Sequence, residues 1–212
     1  MKLILCSVGG YFIGCVNPAY FIAKAKGFDI RTRGTGNAGA TNAVFSLGFK
    51  TGLLVMVIDV LKAFFSVRIA KYVFAASSIA GIVAGIFCAI GHIFPFYMNF
   101  HGGKGTACLG GIILALTPRL LMPMLVGVMV IGLVIDYASI LPLIGAAAYP
   151  ILYYAATGSS SGALLLALMF PLMLWTHRKN FAKHRNGEES SFRSVILKRD
   201  LDDCVERKGK SE

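Results

Sequence analysis

The chain has 212 residues, of which 56% are hydrophobic and only 15% charged, and its mean hydropathy is +0.70. Soluble domains carry about 25% charged residues, so this composition excludes an ordinary soluble protein and indicates lipid as the surrounding solvent. The net charge is +11, but ten of the 21 Lys and Arg residues follow Trp175, which excludes a uniformly basic nucleic-acid binder and is typical of a basic segment beside a membrane.

Long apolar segments predict seven membrane-spanning helices in an all-α polytopic integral membrane protein. A span needs roughly 20 apolar residues, and the fourth segment is short, so hydropathy alone is compatible with five to seven spans. No small-residue cleavage site follows the first segment, so we expect a retained span there rather than a signal peptide. The segments cover residues 3–22, 52–70, 72–97, 107–117, 120–135, 140–157 and 162–176.

The distribution of cations between the connections predicts the orientation. With seven spans, one side of the membrane receives sixteen Lys and Arg residues and the other receives four. The positive-inside rule then places the N-terminus outside and the C-terminus in the cytoplasm. We expect a single transmembrane domain over residues 1–189, followed by a polar cytoplasmic tail over residues 190–212.

Several kinds of site have no supporting motif. The sequence contains no H-E-x-x-H and no H-x4-D acid–base pair. No two of the five cysteines are spaced as C-x-x-C, and four of them lie in apolar runs, so we expect neither a disulfide framework nor a zinc site. No metal ion and no cofactor is expected.

A Gly-rich segment connects the first two spans. It formally contains G-x-G-x-x-G, with Asp59 twenty residues beyond Gly39. A dinucleotide fold is nevertheless excluded, because no strand precedes the glycines and Asp59 lies in an apolar helix. Free backbone N–H groups and short polar side chains suit an anion, and a flexible connector is the alternative. The segment reads Arg33-Gly34-Thr35-Gly36-Asn37-Ala38-Gly39-Ala40-Thr41-Asn42.

A second Gly-rich segment follows the third span. Lys104 is flanked by three glycines, which allow close approach to a point charge, and it is therefore a candidate phosphate clamp. The order G-K-G-T is not that of a Walker A loop, and a solvated turn with one anchoring Lys is the alternative. We interpret His92 as a packed histidine and His101 as a loop or headgroup contact. The segment reads Gly91-His92-Ile93-Phe94-Pro95, then Phe100-His101-Gly102-Gly103-Lys104-Gly105-Thr106.

A third polar segment extends the last span and continues to residues 187–189, Gly-Glu-Glu. On a continuing helix, His177, Asn180 and His184 share one face. Arg178 and Lys179 point elsewhere and are interpreted as interfacial charges.

The second span carries two charged residues within its apolar region. Asp59 and Lys62 lie one helical turn apart. Charges inside a membrane are costly and usually pair or line a cavity. We expect a mutual salt bridge that orients the helix or, alternatively, a role in supporting the site.

These polar segments, in this order, resemble the motifs of the bacterial acyl-phosphate:glycerol-3-phosphate acyltransferase family (PlsY). The first resembles G-S-G-N-x-G-A-T-N, the second G-H-x-F-P followed by F-x-G-G-K-G, and the third H-R-x-N with a later G-E-E. Asp59 and Lys62 match a D-x-x-K feature of the second span. Each motif alone is weak, but the set is specific and covers roughly residues 3–189.

The resemblance implies seven transmembrane helices and transfer of a fatty acyl group from acyl phosphate to the sn-1 hydroxyl of glycerol 3-phosphate, which gives lysophosphatidate for phospholipid synthesis. It implies acyl phosphate, glycerol 3-phosphate and membrane lipids as partners, no nucleic acid, and an inner (plasma) membrane location with the active site facing the cytoplasm. The expected catalytic residues are His177 and Asn180. The expected substrate-binding residues are Thr35, Gly36, Asn37, Gly39, Thr41, Asn42, Gly102, Gly103, Lys104 and Gly105.

Some positions depart from the family pattern. Phe45 replaces an Arg that helps to hold a substrate phosphate, Pro142 replaces a Ser, and Thr35 replaces a Ser but keeps the hydroxyl; Ser139 matches a nearby family Ser. These departures leave open a divergent paralogue with another hydroxyl acceptor. A transporter of a phosphorylated small molecule is a further alternative, but no broken-helix repeat pair is evident and the polar loops cluster on one face.

Overall fold

The apolar segments form α-helices in the computed structural model, which describes residues 1–186 and Arg193. No β-strand occurs within these residues, which confirms the all-α prediction. Short 3-10 helices at Ile30–Thr32, Phe96–Met98 and Ala138–Ile140 shape three of the connections. The α-helices of the described residues are α1 (Lys2–Cys15), α2 (Pro18–Ala25), α3 (Ala40–Leu47), α4 (Phe49–Val73), α5 (Ala80–Ile93), α6 (Thr106–Leu116), α7 (Pro118–Ile135), α8 (Leu141–Thr157), α9 (Ser160–Ala167) and α10 (Met169–Arg185).

Five helical stretches of the described chain are long and apolar enough to cross a membrane. Two further predicted spans fall on α4 and α6. Every 18-residue stretch of α4 carries at least three charged residues, and α6 has only 11 residues. The count of seven spans and the orientation therefore stay predictions. The five stretches are Lys2–Ala25, Ala80–Met98, Pro118–Ile135, Ala138–Thr157 and Ser160–Arg185.

The first predicted span, residues 3–22, is broken into α1 and α2. Pro18 occupies the first turn of α2, where its missing N–H and fixed φ are tolerated but would interrupt a continuous helix. Asn17 caps α2, since its Oδ1 accepts the Tyr20 N–H at 2.9 Å. The break frees backbone carbonyls, and Lys62 Nζ donates to the carbonyl of Val16 at 2.7 Å.

The boundary predicted between the second and third spans is also wrong. We expected a second span over residues 52–70 and a third from residue 72, but α4 continues to Val73 and α5 begins only at Ala80. Lys71 and Tyr72 lie on the last turn of α4, so the polar residues mark a helix end rather than a connection. Hydropathy alone does not separate these two cases.

Glycines let the helices around the site pack backbone to backbone. A Cβ at Gly10 of α1 would lie 2.4 Å from the carbonyl oxygen of Ala84 on α5, and one at Gly14 would lie 2.0 Å from that of Cys88. Between α6 and α4, a Cβ at Gly111 would lie 2.2 Å from a backbone oxygen. Such close approaches are typical of helix packing in lipid. They fix α1 against α5 and α6 against α4.

The chain beyond Asn186 is described only at Arg193. Its guanidinium donates to the carbonyl oxygen of Leu133 at 2.6 and 3.0 Å, and its backbone N–H donates to Asp136 Oδ1 at 2.8 Å. Arg193 thus caps the C-terminal end of α7. The predicted polar tail, residues 190–212, otherwise lies outside the described residues, as does the 187–189 part of the third motif.

Candidate active site

The second Gly-rich loop, residues 102–105, lies across the C-terminal end of α5. The N–H of Gly102 donates to Ile93 O at 2.8 Å, and the N–H of Gly103 donates to His92 O at 3.0 Å. These carbonyls end the helix and have no partner within it. A Cβ at Gly102 would lie 2.1 Å from His92 O, and one at Gly103 would lie 2.0 Å from His92 Nε2. Both glycines are therefore required by close contact with the end of α5.

Lys104, in this loop, is joined to α10 by side-chain hydrogen bonds. Its ammonium donates to Asn180 Oδ1 at 2.6 Å, and Asn180 Nδ2 donates to Ser139 Oγ at 2.7 Å. The two bonds orient the amide of Asn180, with its oxygen toward the cation and its nitrogen toward the hydroxyl. The structure thus brings together the second motif, the third motif and the turn before α8.

His177 lies one helical turn before Asn180 on α10 and is only 2% exposed. Its Nδ1 lies 2.8 Å from the carbonyl oxygen of Met173. A carbonyl only accepts, so in the neutral ring Nδ1 carries the proton and the basic lone pair is on Nε2. The hydroxyl of Thr176 contacts the carbonyl oxygen of Lys104 at 3.3 Å. His177 is therefore held in one ring orientation beside the second loop.

The remaining polar residues of α10 lie at its surface. Arg178 and Lys179 are exposed, and the Arg178 guanidinium lies 3.7 Å from the ring centroid of Trp175. Such pairs suit a membrane–water interface. His184, which we expected on the site face, is exposed, and its ring stacks on Tyr137 with 3.8 Å between centroids.

The first Gly-rich loop, residues 33–39, is held by two fully buried asparagines. Asn17 Nδ2 donates to Ala38 O at 2.9 Å. Asn42 Nδ2 donates to Ile30 O at 2.8 Å, and Asn42 Oδ1 accepts the N–H of Thr35 at 2.7 Å. Both side chains are 0% exposed. Asn42, predicted to bind substrate, therefore uses its amide to shape the loop.

The other predicted residues of the first loop and the start of α3 are more accessible. Thr35, Gly36 and Thr41 are exposed, Asn37 is half-buried and Gly39 is buried. Thr35 and Thr41 carry hydroxyls at this exposed surface, whereas the N–H of Thr35 donates to Asn42 Oδ1 and that of Gly36 donates to Arg33 O. The two hydroxyls can donate to an anion that enters from the aqueous side.

Arg31 connects the first loop to the turn before the second. Its guanidinium holds the Asp29 carboxylate with contacts of 2.7 to 3.1 Å, and its Nη1 donates to Met98 O at 2.5 Å. Hydrogen bonds from Arg31, reinforced by its charge, hold the pKa of Asp29 below its ordinary value despite partial burial. The same contacts raise the pKa of Arg31. The two Gly-rich loops thus share one ion-paired support.

The charges within α4 form the expected salt bridge. Lys62 Nζ lies 2.7 Å from Asp59 Oδ1, and both side chains are buried. His92, interpreted as packed, is 3% exposed and its Nδ1 lies 2.9 Å from Lys62 Nζ. Within residues 1–186 and Arg193, no group of three or more His, Cys, Asp or Glu side chains has the arrangement of a metal site.

Four of these supporting residues, Asn17, Asp29, Arg31 and Thr176, were not predicted from the sequence. Asn17 directly precedes Pro18, which is a helix-start signal, but it lies inside a segment interpreted as one span. Asp29-Ile30-Arg31 directly precedes the first loop, yet an exposed D-x-R pair has many uses. Thr176 has no local signal, because its role depends on the loop that contacts it.

Comparison with known proteins gives consistent matches along the chain. Residues 4–187 match the protein family described as Glycerol-3-phosphate acyltransferase. The chain is 34% identical over 192 residues to the glycerol-3-phosphate acyltransferase of Thermoanaerobacter sp. (strain X514), covering 90% of this chain and 96% of that protein. It is 35% identical over 198 residues to that of Listeria monocytogenes serotype 4a (strain HCC23), covering 89% and 96%.

The fold is also similar to solved structures. One is a crystal structure of PlsY (YgiH), an integral membrane glycerol 3-phosphate acyltransferase, in its glycerol 3-phosphate form, with a TM-score of 0.83 and 28% identity over 93% of this chain and 98% of that one. The other is its lysophosphatidic acid form, with a TM-score of 0.80 and 28% identity over 90% and 95%. The similarity spans nearly all of both chains.

Proposed function

This chain belongs to the glycerol-3-phosphate acyltransferase family, and on that premise we propose that it transfers a fatty acyl group from acyl phosphate to the sn-1 hydroxyl of glycerol 3-phosphate. It is an integral membrane protein, and we place its site at the cytoplasmic face of the inner membrane. The observation that carries the proposal is the contact between Lys104 and Asn180 at 2.6 Å beside the buried His177. A cation and an amide are in contact there, and an imidazole lies one helical turn before the amide on α10.

The reaction exchanges one bond at a carbonyl carbon. The hydroxyl oxygen of glycerol 3-phosphate attacks the carbonyl carbon of acyl phosphate, the bond from this carbon to the bridging phosphate oxygen breaks, and inorganic phosphate leaves. The hydroxyl proton passes to a base. Acyl phosphate is a mixed anhydride with a good leaving group, so no covalent nucleophile is needed. Catalysis then consists chiefly of orienting two anions and stabilising an oxyanion.

We assign the residues of the second and third motifs as follows. Lys104 binds a substrate phosphate, and Asn180 holds Lys104 in place through its oxygen. The Nε2 lone pair of His177 accepts the hydroxyl proton, or alternatively the substrate phosphate accepts it while His177 orients the substrates. Gly102, Gly103 and Gly105 contribute by fixing the loop that carries Lys104.

The first loop is assigned to the other phosphate. Thr35, Asn37 and Thr41 supply short polar side chains, Gly36 and Gly39 let the phosphate approach the backbone, and Asn42 supports the loop from inside. Glycerol 3-phosphate and lysophosphatidic acid, which name the two forms of the solved relative, are the acceptor and product of the proposed reaction. That agreement supports the acceptor, whereas the acyl phosphate donor rests on the motif resemblance.

A comparison of three acyl donors with the same acceptor tests the proposal. Purified protein in detergent is supplied with acyl phosphate, acyl-CoA or acyl carrier protein thioester, each with glycerol 3-phosphate, while lysophosphatidate and free phosphate are followed. We expect equimolar lysophosphatidate and phosphate, with acyl phosphate alone serving as donor. Equal turnover of acyl-CoA would refute the donor assignment.

A second candidate acceptor is favoured by one residue. Phe45 is half-buried on α3, at the position where the resemblance implies a phosphate-binding Arg. Faster acylation of a different hydroxyl compound than of glycerol 3-phosphate, with the same donor, would support this divergent activity.

Substitution of Lys104 tests its assigned role. Lys104→Ala should raise the KM for a phosphate-bearing substrate at least about tenfold, because a charge-assisted contact contributes about 1.5–3 kcal/mol. Lys179→Ala, which removes an exposed cation of α10, is the matched control. Unchanged kinetics in Lys104→Ala would place this residue outside the site.

Thiol labelling tests the proposed orientation. The native cysteines at positions 6, 15, 88 and 108 are buried, which leaves Cys204 of the predicted tail as a reporter of the C-terminal side. A Ser160→Cys variant in a Cys204→Ser background reports the exposed start of α9. We expect an impermeant reagent to label these two positions from opposite sides of the membrane. Labelling of both from one side contradicts the seven-span arrangement.

A further inference from the structure

Lys62 is the centre of a buried polar cluster that the proposed chemistry does not use. Three acceptors lie within reach of its ammonium: Asp59 Oδ1 at 2.7 Å, Val16 O at 2.7 Å and His92 Nδ1 at 2.9 Å. Val16 O and His92 Nδ1 are hydrogen-bond partners of this ammonium, and the Asp59 carboxylate is its ion-pair partner. Asp59, Lys62 and His92 are 1%, 8% and 3% exposed.

The cluster joins three parts of the fold. Asp59 and Lys62 lie on α4, His92 lies on the last turn of α5, and Val16 lies at the break between α1 and α2. A salt bridge that merely neutralised α4 would need Asp59 and Lys62 alone. The two further contacts fix the position of α4 against α5 and against the broken first span.

The ring of His92 has a defined orientation because of Lys62. His92 Nδ1 lies 2.9 Å from Lys62 Nζ and 3.3 Å from Asp59 Oδ1, so both charged side chains hold this edge of the ring. The Nε2 edge faces the second loop, where a Cβ at Gly103 would lie 2.0 Å from Nε2 and 2.6 Å from Cε1. The ring therefore packs directly against the α-carbon of Gly103, one residue before Lys104.

The second loop thus rests on His92 twice. The N–H of Gly103 donates to the His92 carbonyl oxygen at 3.0 Å, while the imidazole supports the same glycine from the side. A change in the side-chain rotamer of His92 would remove this lateral support. The next residue along the chain is Lys104, whose ammonium must reach Asn180 at 2.6 Å.

We propose that Asp59, Lys62 and His92 form a buried positioning assembly that sets the second loop and so holds Lys104 at the substrate phosphate. They are positioning residues, because they act on the site through Gly103. The inference rests on the proposed function in assigning Lys104 to a substrate phosphate. A purely structural ion pair would change the amount of folded protein and leave the KM of the folded fraction unchanged.

The first test replaces the ion pair by apolar residues of similar size. Asp59→Leu combined with Lys62→Met removes both charges, and such replacements of buried pairs are often neutral for stability. In the folded double variant we expect the KM for glycerol 3-phosphate or acyl phosphate to rise about tenfold, as for loss of a contact by Lys104. Wild-type KM values in this folded variant would overturn the proposal.

A second test addresses the contact itself and serves even if the double variant fails to fold. Gly103→Ala should raise KM at least about tenfold, because its Cβ collides with the His92 ring. In a His92→Ala background, which vacates the space of the ring, the same Gly103→Ala change should have under about a third of that effect. Gly110→Ala, where a Cβ would meet nothing within 4 Å, is the matched control. Additive effects of His92→Ala and Gly103→Ala would overturn the proposal.

A third measurement is independent of turnover. Lys104 is half-buried and Lys179 is exposed, so the rate of amine acylation at Lys104 relative to Lys179, read by mass spectrometry, reports the Lys104 environment. We expect this ratio to rise several-fold in the Asp59→Leu/Lys62→Met variant. If that variant does not fold, the same rise is expected in His92→Ala. An unchanged ratio would contradict the positioning role. If wild-type protein acylates no glycerol 3-phosphate, the proposed function fails while this ratio still decides the inference.

Discussion

The two Gly-rich loops use their glycines for opposite reasons. In the first loop, Gly34 and Gly36 have φ angles of +58° and +76°, which residues with a Cβ adopt only at a cost. In the second, Gly105 just before α6 has such an angle, +88°, but Gly102 and Gly103 do not, and they are required because the loop lies directly on His92 and the end of α5. The first loop bends around buried amides, whereas the second is pressed onto a helix end.

This difference extends to how the loops meet solvent. The first loop exposes Thr35 and Gly36, while the second buries Gly103 and Gly105 around a half-buried Lys104. Glycine density alone therefore does not define one kind of anion site. We expect substitutions at the second loop to act through the position of one charge, and substitutions at the first loop to act through backbone conformation.

The largest effects should come from the two candidate catalytic residues of α10. His177→Ala and Asn180→Ala should each lower kcat on the order of 10²-fold or more, with little loss of folded protein. Asn180 links Lys104 to Ser139, so Ser139→Ala should reproduce part of the Asn180 effect. Arg178→Ala, on the exposed side of α10, is the control. Near wild-type turnover in both alanine variants would show that the third motif lies outside the site.

The pH dependence of kcat separates the two candidate proton acceptors. A histidine base produces a loss of kcat at acid pH that disappears in His177→Ala. If the substrate phosphate accepts the proton, an acid limb near its second ionisation, about pH 6, survives the substitution. The measurement is the residual kcat of His177→Ala from pH 5 to 8, normalised at its plateau. Survival of the limb would remove the base role from His177 and keep its orienting role.

The first loop should be most sensitive at Gly34. A Cβ there would lie 2.2 Å from Asn42 Oδ1, whereas one at Gly36 would have Arg31 O at 3.5 Å as its nearest neighbour. Both alanine variants carry the left-handed backbone cost of about 1–2 kcal/mol, but only Gly34→Ala also disturbs the Asn42 bond to Thr35, worth about 1 kcal/mol more. We expect kcat/KM to fall about fivefold more in Gly34→Ala than in Gly36→Ala. Equal losses would show that Asn42 does not control the loop.

A smaller effect, a gain, is expected at Phe45. Phe45→Arg restores a guanidinium at the end of the first-loop region and should lower the KM for glycerol 3-phosphate several-fold, because charge-assisted contacts to phosphate contribute about 1.5–3 kcal/mol when well placed. Phe45→Leu, which removes the ring without adding charge, is the control. An unchanged KM in folded Phe45→Arg would favour another acceptor or a repacked pocket.

The sequence predicted best what depends on local periodicity. Asp59 and Lys62, three residues apart on one helix, form the expected salt bridge at 2.7 Å. The last helix continues to Arg185, which is the condition under which the spacing puts His177 and Asn180 on one face. Contacts between distant segments are harder to predict from the sequence. The hydrogen bond from Asn180 to Ser139 joins residues 41 positions apart, and only the family resemblance pointed to Ser139.

The features of the structure that the sequence did not predict have physical causes. The break at Asn17 was missed because apolar residues on both sides keep the average hydropathy high, although Pro18 marks it. The substrate-binding role of Asn42 stays a prediction, but a motif pattern does not record which way a side chain points, and α3 turns this amide inward to Ile30 and Thr35. The predicted contact of the second-loop glycines with phosphate also stays a prediction, and the motif did not show that His92 already requires glycine at positions 102 and 103.

The smallest predicted effect concerns Arg31, the support shared by the two loops. Arg31→Gln removes the fork that holds Asp29 and Met98 O together, and we expect KM to rise about threefold, because both partners are partly exposed and such pairs contribute about 1 kcal/mol or less. Arg31→Lys should restore little, since an ammonium lacks the fork. Arg33→Gln is the control, as the Arg33 guanidinium lies on the Phe28 ring 3.9 Å from its centroid.

The pH dependence of thermal stability tests the ion pair of Arg31 and Asp29 in a second way. Arg31 lowers the pKa of Asp29, so the ion pair stabilises the fold above the unfolded-state pKa, about 3.9, and this contribution is lost as pH falls through the lower folded-state pKa. The difference in Tm between wild type and Asp29→Asn should therefore be constant from about pH 5 to 8 and shrink only below about pH 4. A difference that already shrinks between pH 7 and 5 would show that Arg31 does not hold Asp29 ionised. The loops would then be joined by the Met98 contact alone.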